Sequence, residues 1–204
     1  GIHCAVRKFS KFDNTVQVLT IVGYSMPQYI VALVFIFVFA VKLGWFPISG
    51  MNTPNFQGTG VAFVLDRLHY LALPVIVMTV AALGSMTRYV RAAMIDALRM
   101  DYIRTARAKG ALEGRVLFKH ALQNAFIPII TRIGMMIPFL VGGAVVTEQI
   151  FAWPGLGSLM VLSINSRDYP VIMGITVFIA AAVLIGNMIV DLVYGLLDPK
   201  IRYS

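Results

Sequence analysis

Apolar residues in this chain run in long blocks separated by short polar stretches. Four blocks, Thr15–Val41, Leu68–Thr87, Leu122–Thr147 and Pro170–Tyr194, reach the roughly 20 residues that a helix needs to cross a bilayer. The first two carry no formal charge, the third contains only Arg132, and the fourth contains only Asp191 near its end. None alternates apolar and polar residues with a period of two, so a β-barrel is excluded. Gly23, Pro27, Gly84, Pro128, Gly134, Pro138, Gly142, Gly143, Gly174 and Gly186 lie inside the blocks. Membrane helices tolerate such residues because neighbouring helices re-satisfy the backbone. The pattern predicts an all-α membrane protein, a polytopic helical bundle with about four transmembrane helices.

Composition agrees with this reading. Hydrophobic residues make up 59% of the 204 positions and charged residues 13%, and the mean hydropathy is +0.82, more apolar than a soluble domain of this length requires. The single Cys4 excludes an internal disulfide and lies beside Arg7, Lys8 and Lys11, consistent with a reduced, cytoplasmic face. The opening Gly1-Ile2-His3-Cys4, with no initiator Met and no signal-like region, is expected of a piece of a longer polypeptide.

Charge sets the orientation. Placing the N-terminal stub in the cytoplasm puts all of the 17 basic residues on that side except Lys42, Arg67, Arg132 and Arg167, as the positive-inside rule requires. Both ends and the 88–121 loop are then cytoplasmic, and the 42–67 and 148–169 loops external. The net charge of +8 follows from topology, and no nucleic-acid partner is needed to explain it.

Between Asp96 and Lys119 basic residues alternate with Leu98, Met100, Tyr102, Ile103, Ala106, Leu112, Val116 and Leu117. These are mostly good helix formers, so short helices are expected, interrupted at Gly110, where Gly suits a tight turn. Two readings fit: a basic helix resting on anionic lipid headgroups, or a segment gripped by another protein. Outside, Trp153-Pro154-Gly155 is a turn with an aromatic at membrane-surface depth, either an interfacial anchor or part of a gate. Residues 158–168 suit a short surface helix. Arg132 can snorkel to the headgroups, Asp191 reads as structural, and Gln28 and Asn187 either line a path or bond across helices. His3, His69 and His120 have no ligand spacing, so no metal site is expected. No Gly-x-x-x-x-Gly-Lys-Ser/Thr stretch occurs, so ATP is not expected to bind through a P-loop here. No enzyme-like cluster of nucleophile and base is evident, and no mid-span carboxylate or His relay suggests a proton-coupled carrier.

The order of residues adds a resemblance. Arg104-Thr-Ala-Arg-Ala-Lys-Gly110 with Leu117-Phe-Lys-His-Ala-Leu-Gln-Asn-Ala-Phe-Ile-Pro-Ile130 resembles the cytoplasmic loop of bacterial ABC importer permeases of the dipeptide and oligopeptide type. Gly44-Trp-Phe-Pro-Ile-Ser-Gly50, Thr147-Glu-Gln-Ile-Phe-Ala-Trp-Pro-Gly-Leu-Gly157, Arg167-Asp-Tyr-Pro170 and the ending Asp191–Tyr203 also look like that family. The chain departs from the broad importer pattern, a Glu-Ala-Ala triplet, at Arg104 and Thr105, with His120 in place of Ile and Gln123 in place of Pro.

The resemblance implies that 1–204 is a permease domain lacking its N-terminal part, six spans being usual in the whole subunit, with 96–121 as its coupling loop. Arg104, Thr105, Ala106, Arg107, Ala108, Lys109, Gly110 and Leu112 would then meet a cytosolic ATPase, small residues at 105, 106 and 108 allowing close approach. Trp153, Pro154 and Gly155 would be periplasmic loop or gate candidates. Implied partners are a second permease subunit, two cytosolic ATPase subunits that hold ATP and Mg, an extracytoplasmic substrate-binding protein and membrane lipid. The implied location is the bacterial inner membrane, with the coupling loop and C-terminus cytoplasmic. The implied activity is ATP-driven uptake of di- or oligopeptides, or alternatively of glutathione, a nickel complex or another small solute. The alternative in a different class is a channel or scaffold with a basic lipid-binding loop.

Overall fold

The computed structural model describes residues 1–134, 136 and 142–197; among these there are helices and turns and no strand. In chain order the helices are α1 (Ile2–Val6), α2 (Lys11–Ser25), α3 (Gln28–Phe35), α4 (Val61–Leu98), α5 (Asp101–Ala108), α6 (Glu113–Arg115), α7 (Leu122–Gly134), α8 (Val145–Ile150), α9 (Leu156–Ser166) and α10 (Tyr169–Leu197). Two stretches widen into π-helix, Ile36–Lys42 continuing α3 and Val116–Ala121 leading into α7.

The four expected spans are realised unevenly. Among the described residues, α4 and Tyr169–Leu192 of α10 are long and apolar enough to cross a membrane. The block expected as one span over Thr15–Val41 is instead two helices, α2 and α3, separated at Met26 and Pro27. Proline has no N–H and disfavours helical geometry in the residue before it; Pro27 sits at the N-cap of α3 with ψ 135°. The Leu122–Thr147 block is helical through Gly134 and again from Val145, and part of what lies between falls outside the described residues. Helix α4 outruns its expected ends in both directions and keeps Pro74 inside it.

The chain divides into two compact units. The first comprises Gly1–Val22, Leu83–Pro138 and Val183–Ser204. Its core gathers Ala5 of α1, Met94 and Ala97 of α4, Ile103 and Ala106 of α5, then Val116, Ala121, Ala125 and Ile129. Gly134 lies so close to Val190 that a Cβ would come within 2.5 Å of it.

The second unit comprises Gly23–Ala82 and Phe139–Ala182. Its core is Val31, Ala32, Ala40, Leu73, Val77 and Phe151. Gln28 Nε2 donates to Thr147 Oγ1 at 2.9 Å, so of the two roles open to this glutamine the structure shows a bond across helices. Helix α10 belongs to this unit through Ala182 and to the first from Val183; along it the side chains of Met173, Val177 and Phe178, and then of Leu184, Ile185, Met188, Ile189 and Leu192, are exposed. Water would not support so apolar a surface; lipid or another apolar chain does.

Candidate functional site

In the first unit the candidate site is α5 and the turn after it. Met100 precedes the helix in extended geometry, Asp101 stands in its first turn and Arg107 in its last, so both charges complement the helix dipole. Ile103 and Ala106, three residues apart, share one face. Ile103 is fully buried and Ala106 nearly so, and both join the core with Met94 and Ala97. Arg104, Thr105, Arg107, Ala108, Lys109 and Gly110 are exposed. The expected row of small residues is therefore divided: Thr105 and Ala108 face outward, whereas Ala106 packs against its own chain.

The helix ends on a glycine for a stated reason. The Ala111 N–H donates to the Ala106 carbonyl (3.2 Å) and the Gly110 N–H to the Arg107 carbonyl (2.9 Å), the paired bonds of a Schellman cap. The cap needs a left-handed residue after the last helical turn, and Gly110 has φ +76°. Open space surrounds the place a Cβ would occupy, so only backbone conformation selects glycine there.

Polar groups hold the next turn. Arg107 Nε and Nη2 donate to Glu113 Oε1 and Oε2 at 2.7 and 3.3 Å, and this hydrogen-bonded carboxylate raises the Arg107 pKa further. Thr105 Oγ1 donates to the Asp101 carbonyl (3.0 Å). Arg104 approaches Asp101 only to 3.9 Å with both side chains exposed, a pair worth little in water, so its charge is available to a partner. Leu112 is 78% exposed. Beside the helix a cavity of about 310 Å³ is lined by Tyr89, Asp96, Met100, Tyr102 and Asn124 among others; burial pushes the Tyr102 phenol up.

The second unit carries the other candidate. Here the organising residue is Glu148, which the sequence did not single out. Its Oε1 accepts from the Ala144 N–H (3.0 Å) and its Oε2 from the Ser158 N–H (2.7 Å), so one carboxylate ties the start of α8 to the first turn of α9. Such free N–H groups at helix starts favour an anionic acceptor. Ser158 Oγ accepts from the Gly155 N–H (3.0 Å) and donates to the Gly155 carbonyl (2.9 Å). Three glycines make room. A Cβ on Gly155 would fall 2.4 Å from the Glu148 carboxyl carbon, on Gly143 it would meet the Gly157 nitrogen at 2.6 Å, and on Gly157 the Val145 Cα at 2.8 Å.

Trp153, Pro154 and Gly155 ride on this frame. The Trp153 N–H donates to the Glu148 carbonyl (2.8 Å), and its side chain, half-buried, lines a cavity of about 190 Å³ with Leu71, Pro74, Met78 and Thr147. Pro154 is exposed. Phe151 is buried, and its carbonyl accepts from the Gly50 N–H (2.8 Å), which joins the 44–50 loop to the 147–157 loop. His69 Nε2 donates to the Trp45 carbonyl (2.8 Å), and Thr53 bonds Asp66 through both N–H and hydroxyl.

The described residues contain no cluster of His, Cys, Asp and Glu suited to a metal. The two sites offer surface: a helix presenting cations and small side chains, and a stapled loop presenting a Trp-Pro turn.

Comparison with known proteins gives these surfaces a context. The chain is 48% identical over its whole length to the oligopeptide transport system permease protein AppB of Bacillus subtilis, of which it spans 63%. It is 36% identical to the dipeptide transport system permease protein DppB of Escherichia coli, spanning 65% of that relative. It is 38% identical to the glutathione transport system permease protein GsiC of Pectobacterium atrosepticum, spanning 62%. The chain thus covers just under two thirds of the length of these relatives. Residues 1–203 match the family described as the binding-protein-dependent transport system inner membrane component, and the chain belongs to that family.

Proposed function

We propose that this chain is the greater part of a permease subunit of an ATP-driven importer, and that its cargo is a di- or oligopeptide. The observation that carries the proposal is the outer face of α5. Arg104, Thr105, Arg107, Ala108 and Lys109 are exposed on a helix whose inner face is fixed by Ile103 and Ala106, and its end is shaped by Gly110. A short basic helix built rigidly from beneath and left bare on top is suited to seat in a groove of another protein. Relatives named as oligopeptide and dipeptide permeases support peptides as the cargo; one named for glutathione makes that tripeptide the first competitor to try.

In this reading α5 lies in the cytoplasm and docks on an ATPase subunit, which binds ATP and Mg. Two ATPase subunits and a second permease chain complete the machine, and an external binding protein delivers cargo near the loops around Gly50 and Trp153. The C-terminus is cytoplasmic. Alternating access requires an arrangement of helices with two stable states, biased by the contacts each ATPase state makes with α5.

The test is uptake of a labelled tripeptide into proteoliposomes holding the complex recovered with the full-length chain. Uptake that needs ATP and the external binding protein supports the proposal. Uptake without ATP, or flux of small ions in its place, would favour a channel and contradict it.

A further inference from the structure

One charged pair in the first unit has no part in either surface. Asp13, in the first turn of α2, is buried. Its Oδ1 accepts from Arg91 Nε at 2.7 Å and its Oδ2 from Arg91 Nη2 at 2.6 Å, a two-pronged bond of the kind only arginine makes. The Phe9 N–H donates to Oδ2 (2.9 Å), and the Asp13 N–H donates to Ser10 Oγ (3.1 Å). The Arg91 side chain is 19% exposed and that of Asp13 1%.

A buried pair of this kind is poor evidence for stability, because desolvation offsets most of the attraction. Its geometry is better suited to fixing position. Arg91 lies three residues before Met94, on the same face of α4, and Met94 packs in one cluster with Ile103 and Ala106 of α5. The α4 face that carries Arg91 and its bond to Asp13 thus also carries Met94, which packs under α5, all within one unit. Helix α2 carries the chain out of this unit after Val22, and α4 brings it back in at Leu83.

We infer that Asp13 and Arg91 are positioning residues for coupling: they lock the start of α2 to α4 beside α5, so that a displacement of α5 by its partner moves both helices together. The inference rests on the proposed importer activity. Coupling between distant parts can be carried by rigid helices and the salt-bridge networks that join them, and a fork with two short bonds resists sliding in a way that a single apolar contact does not.

The experiment measures labelled tripeptide taken up per ATP hydrolysed, in proteoliposomes holding the complex recovered with the full-length chain. Two variants are compared with the natural complex: Asp13→Asn, which keeps shape and removes the charge, and Arg91→Lys, which keeps charge and loses the fork. The expected result is a fall in uptake per ATP of about fivefold or more for Asp13→Asn, the lower end of usual coupling strengths, and a smaller fall in the same ratio for Arg91→Lys. If Asp13→Asn does not assemble, Arg91→Lys decides. An unchanged ratio in the variants that assemble, whatever their yield, overturns the inference and leaves the pair a folding element. Absence of ATP-dependent uptake by the natural complex would instead remove the importer reading, and the inference with it.

Discussion

The α5 helix and the Glu148 loop solve opposite problems. On α5 two apolar residues, Ile103 and Ala106, hold the helix from beneath, while its cations point outward with weak or single partners. Around Glu148 the polar groups turn inward: one carboxylate satisfies two backbone N–H groups, and Gly143, Gly155 and Gly157 leave no room for side chains. The first surface leaves Arg104 without a strong partner in the chain, and in the proposed reading an ATPase completes it; the polar groups of the second are satisfied within the chain. Substitutions in the two regions should therefore be read by different measurements.

The largest effect is expected at the staple. Glu148→Ala frees two helix-start N–H groups and should cost about 3 kcal/mol, taking about 1.5 kcal/mol for each bond to a charged acceptor. Proteolysis at 151–158 in the solubilised complex should show it, while ATPase recovery stays normal. Rapid loss of ATPase in that variant, with the loop intact, would erase the contrast between the regions.

Next, Ala106→Leu overfills the core beneath α5 and should cost about 2 kcal/mol, read as a lower unfolding temperature. Ala108→Leu, on the outer face, should leave that temperature unchanged and reduce ATPase recovery. Equal behaviour of the two would mean that α5 is not oriented as described. Gly110→Ala, which meets no atoms but must keep φ at +76°, should cost about 1 kcal/mol. Gly110→Asn should cost less, since Asn tolerates the left-handed region; parity of Ala and Asn would remove the conformational account. The smallest effect on stability, within about 0.5 kcal/mol, is expected for Arg104→Glu, whose exposed pairing is weak. Its effect on ATPase recovery should nevertheless be clear, and an unaltered recovery would show that this charge takes no part in docking.

The sequence made α5 legible because its signals are local: helix formers, a basic face and a glycine three residues past Arg107. The break at Met26–Pro27 was equally local, but reading hydrophobicity over 27 residues averaged it away. The family resemblance groups Ala106 with Thr105 and Ala108 as small residues facing a partner, whereas its three-residue spacing from Ile103 places it on the buried face, as the structure has it. Glu148 needed contacts 10 residues apart and Asp13 contacts 78 apart, and periodicity carries no information over such spans. A signal for Glu148 did exist: a lone carboxylate followed by Gly155 and Gly157 in an apolar stretch is costly unless it is bonded.

In the proposed reading, the outer face of α5 seats on an ATPase. The most direct measurement replaces Thr105 or Ala108 by Cys in the full-length chain, adds a short thiol-to-amine cross-linker to native membranes, and identifies what is joined. A P-loop ATPase subunit should be attached at both positions, with cross-linking lost when Ile103→Asp displaces the helix. Cross-links to lipid-facing proteins at random, or none to an ATPase while the complex is intact, would contradict it.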